Sequence, residues 1–189
     1  MSLSLVTAPD VEPLTLDETK LHLRVDGDDE DTLITGLIQA ARMQAETITS
    51  RAFITQTWDL FLDAFPCGSN EVLEIPLGQL QSVEYVKYLD TLGVQQTWAS
   101  GNYQVDNATE PARLLPVYGV YYPWTSPATL NAVNVRFTCG YGDADNDVPQ
   151  PIRQAMLLMI GSWYENREST QVIPDVARLL LGSYKTRFA

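Results

Sequence analysis

Long apolar runs, histidine, cysteine and basic residues are all scarce in this chain of 189 residues. No apolar stretch approaches the roughly 18 residues that a membrane-spanning helix needs, so the sequence predicts no membrane segment. Residues 1–6 contain neither a basic region nor a long apolar stretch, which argues against a signal peptide. The net charge of −12, from 12 Lys and Arg against 24 Asp and Glu, disfavours a nucleic-acid-binding surface.

The residue types that usually carry nucleophilic catalysis or bind zinc form no recognisable motif. His22 is the single histidine, and nothing in the sequence positions it beside a serine and an aspartate. Cys67 and Cys139 have no partners at metal-ligand spacing. Because the chain lacks a secretion signal, we expect these two thiols to be buried and reduced rather than joined in a disulfide.

The carboxylates give no firmer indication of chemistry. Residues 143–147 alternate acids as a calcium loop does, but Val148 stands where glycine is required and Gln154 where a bidentate glutamate is required. Pairs such as Asp59 and Asp63 are weak indications of a glycosidase in a protein this acidic. We therefore expect no enzyme activity, no catalytic residue, no metal and no cofactor.

Amphipathic helices are predicted towards both ends of the chain. Their predicted bounds are 15–24, 29–50, 151–166 and 174–181. Thr15 and Glu18 form a capping box, and the acidic run 28–31 provides an N-cap and first-turn negative charge for the second helix. The first three helices have apolar faces with no other partner of comparable size, so we expect them to pack together. On the third, Trp163 is expected to fill the core and Tyr164 to face a neighbouring subunit.

Between these helices, from Thr55 to about Tyr141, apolar residues alternate with polar ones, and turn-forming residues separate the alternating segments. This pattern indicates an antiparallel sheet or a small barrel. The sequence thus predicts an α+β fold with a central antiparallel β-rich insertion in a helical scaffold. As one domain over 1–189, it comprises helical segments at 1–52 and 148–182, the insertion at 53–147, and a C-terminal arm at 183–189.

Three stretches have an order and spacing that can be compared with a known family. They are residues 14–34, with acids at 28–31; residues 40–51; and residues 148–168. Before the third stretch, the Gly-Tyr-Gly segment at 140–142 leads into a Pro-x-x-Ile-Arg-x-Ala pattern that begins at Pro149. Together they resemble the head–tail connector (head-completion adaptor) family of long-tailed double-stranded-DNA phages and gene-transfer agents.

The resemblance implies a structural virion protein rather than an enzyme. Members of the family assemble as rings of about twelve copies below the portal of a DNA-filled capsid. They extend the DNA channel and provide a docking platform for stopper or tail-terminator proteins. The expected partners are therefore other copies of the chain, the portal, a stopper or tail-terminator protein, and duplex DNA that passes without specific binding. The expected location is the head–tail junction of a virion assembled in the bacterial cytoplasm.

Three surfaces are candidates for this role. An acidic channel face, which would repel the duplex and let it move, comprises Asp28, Asp29, Glu30 and Asp31. A subunit interface comprises Leu157, Tyr164, Arg167, Tyr121, Tyr122 and Trp124. A portal-binding arm comprises Leu179, Leu180, Leu181, Tyr184, Lys185, Arg187 and Phe188. Two alternatives stay open: the leucines complete the protomer's own core, and the acidic charge confers only solubility.

A second function is compatible with the same sequence. The chain could be another tail-completion or baseplate module whose β segment binds a partner or a glycan. The aromatic residues available for that surface are Trp98, Tyr118, Tyr121, Tyr122 and Trp124. Particle mass would separate the two functions, because a connector ring has about twelve copies whereas a tail module forms a trimer or hexamer.

Overall fold

The computed structural model describes residues 1–67, 71–166 and 173–186. Four α-helices and eight strands in antiparallel sheets, all within these residues, confirm the predicted α+β class. The described residues form two compact units, which we call the sheet unit and the helical unit. The sheet unit contains Met1–Ala8 and Thr55–Gly140, and the helical unit contains Pro9–Ile54 and Tyr141–Thr186.

The helical unit joins helices from both ends of the chain. Its helices are α1 (Leu16–Leu23), α2 (Asp31–Thr49), α3 (Gln150–Glu165) and α4 (Asp175–Gly182). One apolar core contains Ile34 and Ile38 of α2, Met156 and Trp163 of α3, and Leu181 of α4. The prediction that the first three helices pack together is confirmed, because α1, α2 and α3 all contact one another.

The first two helices begin in different ways. The Thr15 side chain accepts a hydrogen bond from the backbone N–H of Glu18 at 3.1 Å, as the capping box predicts. The Glu18 carboxylate instead forms an ion pair with Arg153 of α3 at 2.5 Å. Glu30 occupies the N-cap position of α2 without a side-chain capping bond, and Asp31 places negative charge in the first turn. The acidic run therefore stabilises α2 through the helix dipole rather than through a cap.

The connection into α3 contains a close approach that explains a glycine. Asp145–Asp147 forms a short 3₁₀ turn, and the Asp147 carboxylate accepts a hydrogen bond from the Ala144 backbone N–H at 3.0 Å. A Cβ at Gly142 would lie 2.1 Å from Asp147 Oδ2. The second glycine of the Gly-Tyr-Gly segment is therefore required by this side chain folding over it.

The sheet unit contains all eight strands. They are β1 (Ser2–Thr7), β2 (Gln56–Leu62), β3 (Leu73–Ile75), β4 (Leu80–Leu89), β5 (Gln95–Trp98), β6 (Tyr103–Asp106), β7 (Ala112–Pro116) and β8 (Val133–Cys139). One sheet has the order β1-β2-β8-β4-β5 and the other has the order β3-β7-β6. The sequence predicted strands only from residue 55 onwards, so it missed β1 and assigned residues 2–7 to the helical scaffold.

β8 lies at the centre of the five-stranded sheet, and its pattern shows how the sheet is built. Val133, Val135, Phe137 and Cys139 are buried, while the residues between them are only partly buried. This period of two is the one that the sequence predicted for a sheet with one apolar face. Cys139 and Cys67 are both free, but the expectation that both are buried is wrong: Cys67 lies in the loop after β2 and is exposed.

Candidate assembly surfaces

An aromatic loop, residues 117–127 between β7 and β8, is anchored by one of its tyrosines. The Tyr122 ring stacks on Phe65 at a centroid distance of 5.3 Å and packs against Trp98 at 5.5 Å. The Tyr122 hydroxyl donates towards the backbone carbonyls of Glu71 and Leu114, at 2.9 and 3.0 Å. Burial raises the pKa of Tyr122 to about 12. Tyr122 therefore holds the loop to its own sheet unit.

The other large aromatic side chains of this loop are exposed. Trp124 is 87% exposed, and Tyr118 and Tyr121 are also exposed. Tyr121 and Trp124 line an open groove of about 640 Å³ with Phe65 and three prolines. No charged residue occurs between Arg113 and Arg136, so the loop offers apolar contact area without charge to desolvate. Such a surface suits a protein contact.

The structure separates residues that the sequence grouped into common surfaces. Tyr122 was assigned to the subunit interface, and Trp98 with Tyr122 to a partner- or glycan-binding surface. Trp98 is buried and Tyr122 is half-buried, because both pack with Phe65 in one aromatic cluster. Phe65, which completes this cluster, was missed: it follows β2 outside any alternating pattern, and no local signal marks it.

The predicted interface residues on α3 also differ from one another. Leu157 is only 6% exposed and belongs to the core of the helical unit, so it has little surface to offer a neighbour. Tyr164 is partly buried, and its hydroxyl donates a hydrogen bond to the Glu30 carboxylate. Trp163 is buried, as predicted. Arg167 lies outside the described residues.

The acidic run 28–31 is partly neutralised within the helical unit. The Lys20 ammonium donates to the carboxylates of Asp28 and Asp31, both at 2.8 Å. The hydrogen bond to Asp28, and after it the one to Asp31, raises the pKa of Lys20. In turn, the Lys20 ammonium lowers the pKa of Asp28. Because Glu30 bonds Tyr164, three of the four predicted channel residues also have a structural role.

The predicted portal-binding arm divides into packed and exposed residues. Leu181 is fully buried in the helical core, and Leu180 and Tyr184 pack partly against it. The Thr186 backbone N–H donates to the Thr49 carbonyl at 2.9 Å, which fixes the segment as far as residue 186. Leu179 is 77% exposed, and Lys185 is also exposed. Arg187 and Phe188 lie outside the described residues.

The remaining candidate chemistry has structural explanations. Asp59, only 7% exposed, holds Arg136 of the neighbouring strand through two hydrogen bonds of 2.9 and 2.8 Å. Asp63 accepts from the Asn131 backbone N–H at 2.9 Å. Among the described residues, no group of three or more His, Cys, Asp or Glu side chains could hold a metal ion. A search of the same residues finds no helix long and apolar enough to cross a membrane.

The comparisons with known proteins agree with the fold. Residues 13–97 match the family model of the phage gp6-like head-tail connector protein. Three solved chains, each 24% identical, align with 100% of this chain and 97% of their own length. They come from the neck of an empty gene transfer agent particle computed with C6 symmetry (TM-score 0.80), the virion of a native gene transfer agent particle (0.80), and the neck of a native particle computed with C12 symmetry (0.78).

Two conclusions follow from these matches. The solved structures establish that the whole chain has the fold of these particle components. The family match confirms the resemblance to head–tail connectors that the sequence predicted, over residues 13–97. The comparison with curated proteins finds no match.

Proposed function

We propose that this chain is a structural virion protein, a single adaptor domain that assembles as a ring at the head–tail junction. The observation that carries the proposal is the family match over residues 13–97 together with a fold shared along the full chain with gene transfer agent neck components. In that role the ring binds below the portal, extends the DNA channel and supports a stopper or tail-terminator protein. Such a virion would be assembled in the bacterial cytoplasm.

Mass measurement of the protein, alone and mixed with its portal, tests this proposal. A portal-bound ring of about twelve copies supports it. A protein that stays monomeric with the portal, or that forms a trimer and binds a glycan, would overturn it and favour the tail or baseplate alternative. The groove beside Tyr121 and Trp124 is the observation that keeps this alternative in the test.

The aromatic loop is the part of the proposed subunit interface that best fits a protein contact. Tyr121 and Trp124 are exposed, uncharged and held in place by Tyr122, so little ordering of the loop is required on binding. Trp124→Ala should therefore weaken the ring by about tenfold or more while leaving the melting temperature of the protomer unchanged. Leu21→Ala, at a similarly exposed residue of α1, is the matched control and should leave the ring intact.

The C-terminal arm is proposed as a portal contact with fewer residues than the sequence predicted. Leu181, Tyr184 and Thr186 pack within the helical unit, which leaves Leu179, Lys185 and residues 187–189 as candidates for the portal. Truncation after Thr186 should keep the melting temperature and abolish attachment to portal-bearing heads. Truncation after Gly182 should also lower the melting temperature, because it removes the contacts of Tyr184 and Thr186. Normal attachment by the protein truncated after Thr186 would exclude residues 187–189 and leave only Leu179 and Lys185 of the arm as candidates.

The acidic channel face is proposed to keep DNA mobile in the ring. Asp28 is largely exposed despite its bond to Lys20, so it can still repel phosphates. Exchanging both Asp28 and Asp29 for Lys should slow DNA release from particles, with the slowing relieved as salt rises. The control exchanges Asp106 and Glu74 of the sheet unit for Lys. Unchanged release by the first variant would leave solubility as the role of the acidic run.

A further inference from the structure

The two edge strands of the five-stranded sheet lack the charged residues and prolines that often prevent strand pairing. Among the described residues, no strand lies beyond β1 on one side or β5 on the other. Neither strand contains a charged residue or a proline: β1 is Ser-Leu-Ser-Leu-Val-Thr and β5 is Gln-Gln-Thr-Trp. Natural proteins usually protect exposed sheet edges with lysine, proline or bulges, because an open edge is a template for another strand. β1 has one bulge or irregularity in its pairing with β2, between Leu5 and Thr7. The edges available for pairing are therefore β5 and the regular part of β1, residues 2–5.

β1 is exposed on its faces as well as at its edge. Five of its six residues are exposed, including Leu5 and Val6. In β5, three of the four residues are exposed, and exposed Val94 directly precedes the strand. Apolar side chains at both edges would thus lose solvent if a further strand joined the sheet. β1 and β5 are the two edges of one sheet, so every copy of the chain has both strands that such a contact between copies would need.

The directions of the strands determine how two copies can meet. All four neighbouring pairs in β1-β2-β8-β4-β5 are antiparallel, so β1 and β5 run in the same direction. Rotation about a ring axis that lies along the strands preserves this direction from copy to copy. In a closed ring, the β5 edge of one copy would therefore meet the β1 edge of the next in a parallel arrangement. Antiparallel pairing of β1 with β1 would give only a dimer.

We infer that the ring is closed by parallel pairing of β5 in one copy with β1 in the next, so that the five-stranded sheets become continuous. This inference rests on the proposed ring, and it names the surface that joins the copies. A second copy is favoured as the occupant because head-to-tail pairing satisfies both edges at once and repeats at every subunit. A strand from another virion protein would fill one edge and leave the other open.

Register within the sheet gives a face-specific test. Ser2, Phe61, Asn134, Lys87 and Thr97 lie on one row across the five strands, so Ser2 and Thr97 share a face. Ser4 and Gln95, two residues along their strands, share that face as well, whereas Gln96 points to the opposite face.

In rings assembled on the portal from a Cys67→Ser background, Ser4→Cys combined with Thr97→Cys or Gln95→Cys should give disulfide-linked multimers under mild oxidation. The matched control, Ser4→Cys with Gln96→Cys, should stay monomeric on a denaturing gel.

Each outcome decides between the inference and the proposed function. Cross-linked multimers from a same-face pair alone support the strand seam. A ring of normal mass that none of the pairs cross-links overturns the seam and leaves the proposed function standing, as would a control pair that links equally well. A background protein that forms no ring with or without the portal overturns the proposed function and the seam together.

Discussion

The helical unit and the sheet unit differ in which large apolar side chains they expose. Among the described residues, the exposed ones of the helical unit are aliphatic or Met: Val11, Leu21, Leu33, Met43, Val176 and Leu179. All the exposed large aromatic residues, Tyr118, Tyr121 and Trp124, belong to the sheet unit, as do the apolar residues at the β1 edge. Aromatic anchors and open strand edges are the usual material of protein interfaces. The sheet unit therefore carries the better candidates for assembly.

The two units also use ion pairs differently. In the helical unit, three cationic side chains each bind carboxylates from another segment of the chain. Lys20 binds Asp28 and Asp31, Arg42 binds Glu12 and Glu46, and Arg153 binds Glu18 and Asp145. In the sheet unit, Asp59 with Arg136 and Asp106 with Arg113 instead join residues opposite each other on paired strands. The apolar core and these ion pairs therefore stabilise the helical unit. Four variants test the difference between the two units.

The largest effect is expected from removing the core indole of the helical unit. Trp163→Ala should lower the free energy of unfolding by about 3–5 kcal/mol, because it leaves a cavity among buried side chains of α2, α3 and α4. Tyr164→Phe, at the next position, removes only the hydroxyl that bonds Glu30 and should cost about 1 kcal/mol. Chemical denaturation measures both. Equal losses would show that the two aromatic residues are not divided between core and surface.

A smaller loss is expected from breaking the cross-strand pair of the sheet unit. Asp59→Ala leaves the Arg136 guanidinium without its two hydrogen bonds and should cost about 2 kcal/mol, below the roughly 3–5 kcal/mol of a fully buried pair, because Arg136 stays partly exposed. Denaturant unfolding is again the measurement. The control is Arg113→Ala, whose ion pair with Asp106 is solvent-exposed and should matter less. Similar losses in the two variants would contradict the assignment.

Anchoring of the aromatic loop should show in the pH dependence of stability. Burial raises the pKa of Tyr122 to about 12 in the folded protein, above the value of about 10 in the unfolded chain. The stability contributed by the neutral phenol is therefore complete below pH of about 10 and is lost as pH rises towards 12. Tyr122→Phe should reduce the alkaline loss of stability without abolishing it, because burial also raises the pKa of Tyr85 and Tyr103. The variant should cost about 1 kcal/mol at neutral pH. Trp124→Ala should keep the alkaline dependence unchanged, and melting curves across this pH range provide the check.

The smallest effect is expected at the surface ion pairs of the α1–α2 connection. Lys20→Gln removes both bonds to Asp28 and Asp31, and thermal stability should fall slightly at low salt. High salt should erase the difference between variant and wild type, since mobile ions screen the original pair. Thermal melts at two ionic strengths measure this. A loss that persists at high salt would show that the α1–α2 connection depends on more than electrostatics.

The parts of the fold that were predictable from the sequence are those with a long local pattern. The helices over 31–49 and 150–165 have long amphipathic patterns, and their predicted bounds differ from the observed ones by one or two residues. β3, β5, β6 and β7 are only three to five residues long, too short for alternation to determine their bounds. β1 alternates, yet it joins the sheet only by pairing with β2, more than fifty residues away. Such pairing has no local signal.

The candidate site shows the same division between residue type and environment. The sequence marked Tyr121, Tyr122 and Trp124 as one aromatic group. Only the fold separates them, because Tyr122 meets Phe65 and Trp98, which come from other parts of the chain. Leu179 and Leu181 both lie on α4, but Leu179 is exposed and Leu181 is buried in the core of the helical unit. Composition therefore identifies candidate interface residues, and the burial of each side chain decides which of them can contact a partner.

The sequence by itself determined the α+β class, the four helices and the resemblance to head–tail connectors, since helical periodicity, capping and motif spacing are local properties of the chain. Tertiary structure alone decided which apolar residues stay exposed. It paired β1 with β2, placed Tyr122 against Phe65 and turned Glu18 towards Arg153. The physical reason is that burial and strand pairing depend on segments far apart in sequence, whose encounter no local pattern specifies.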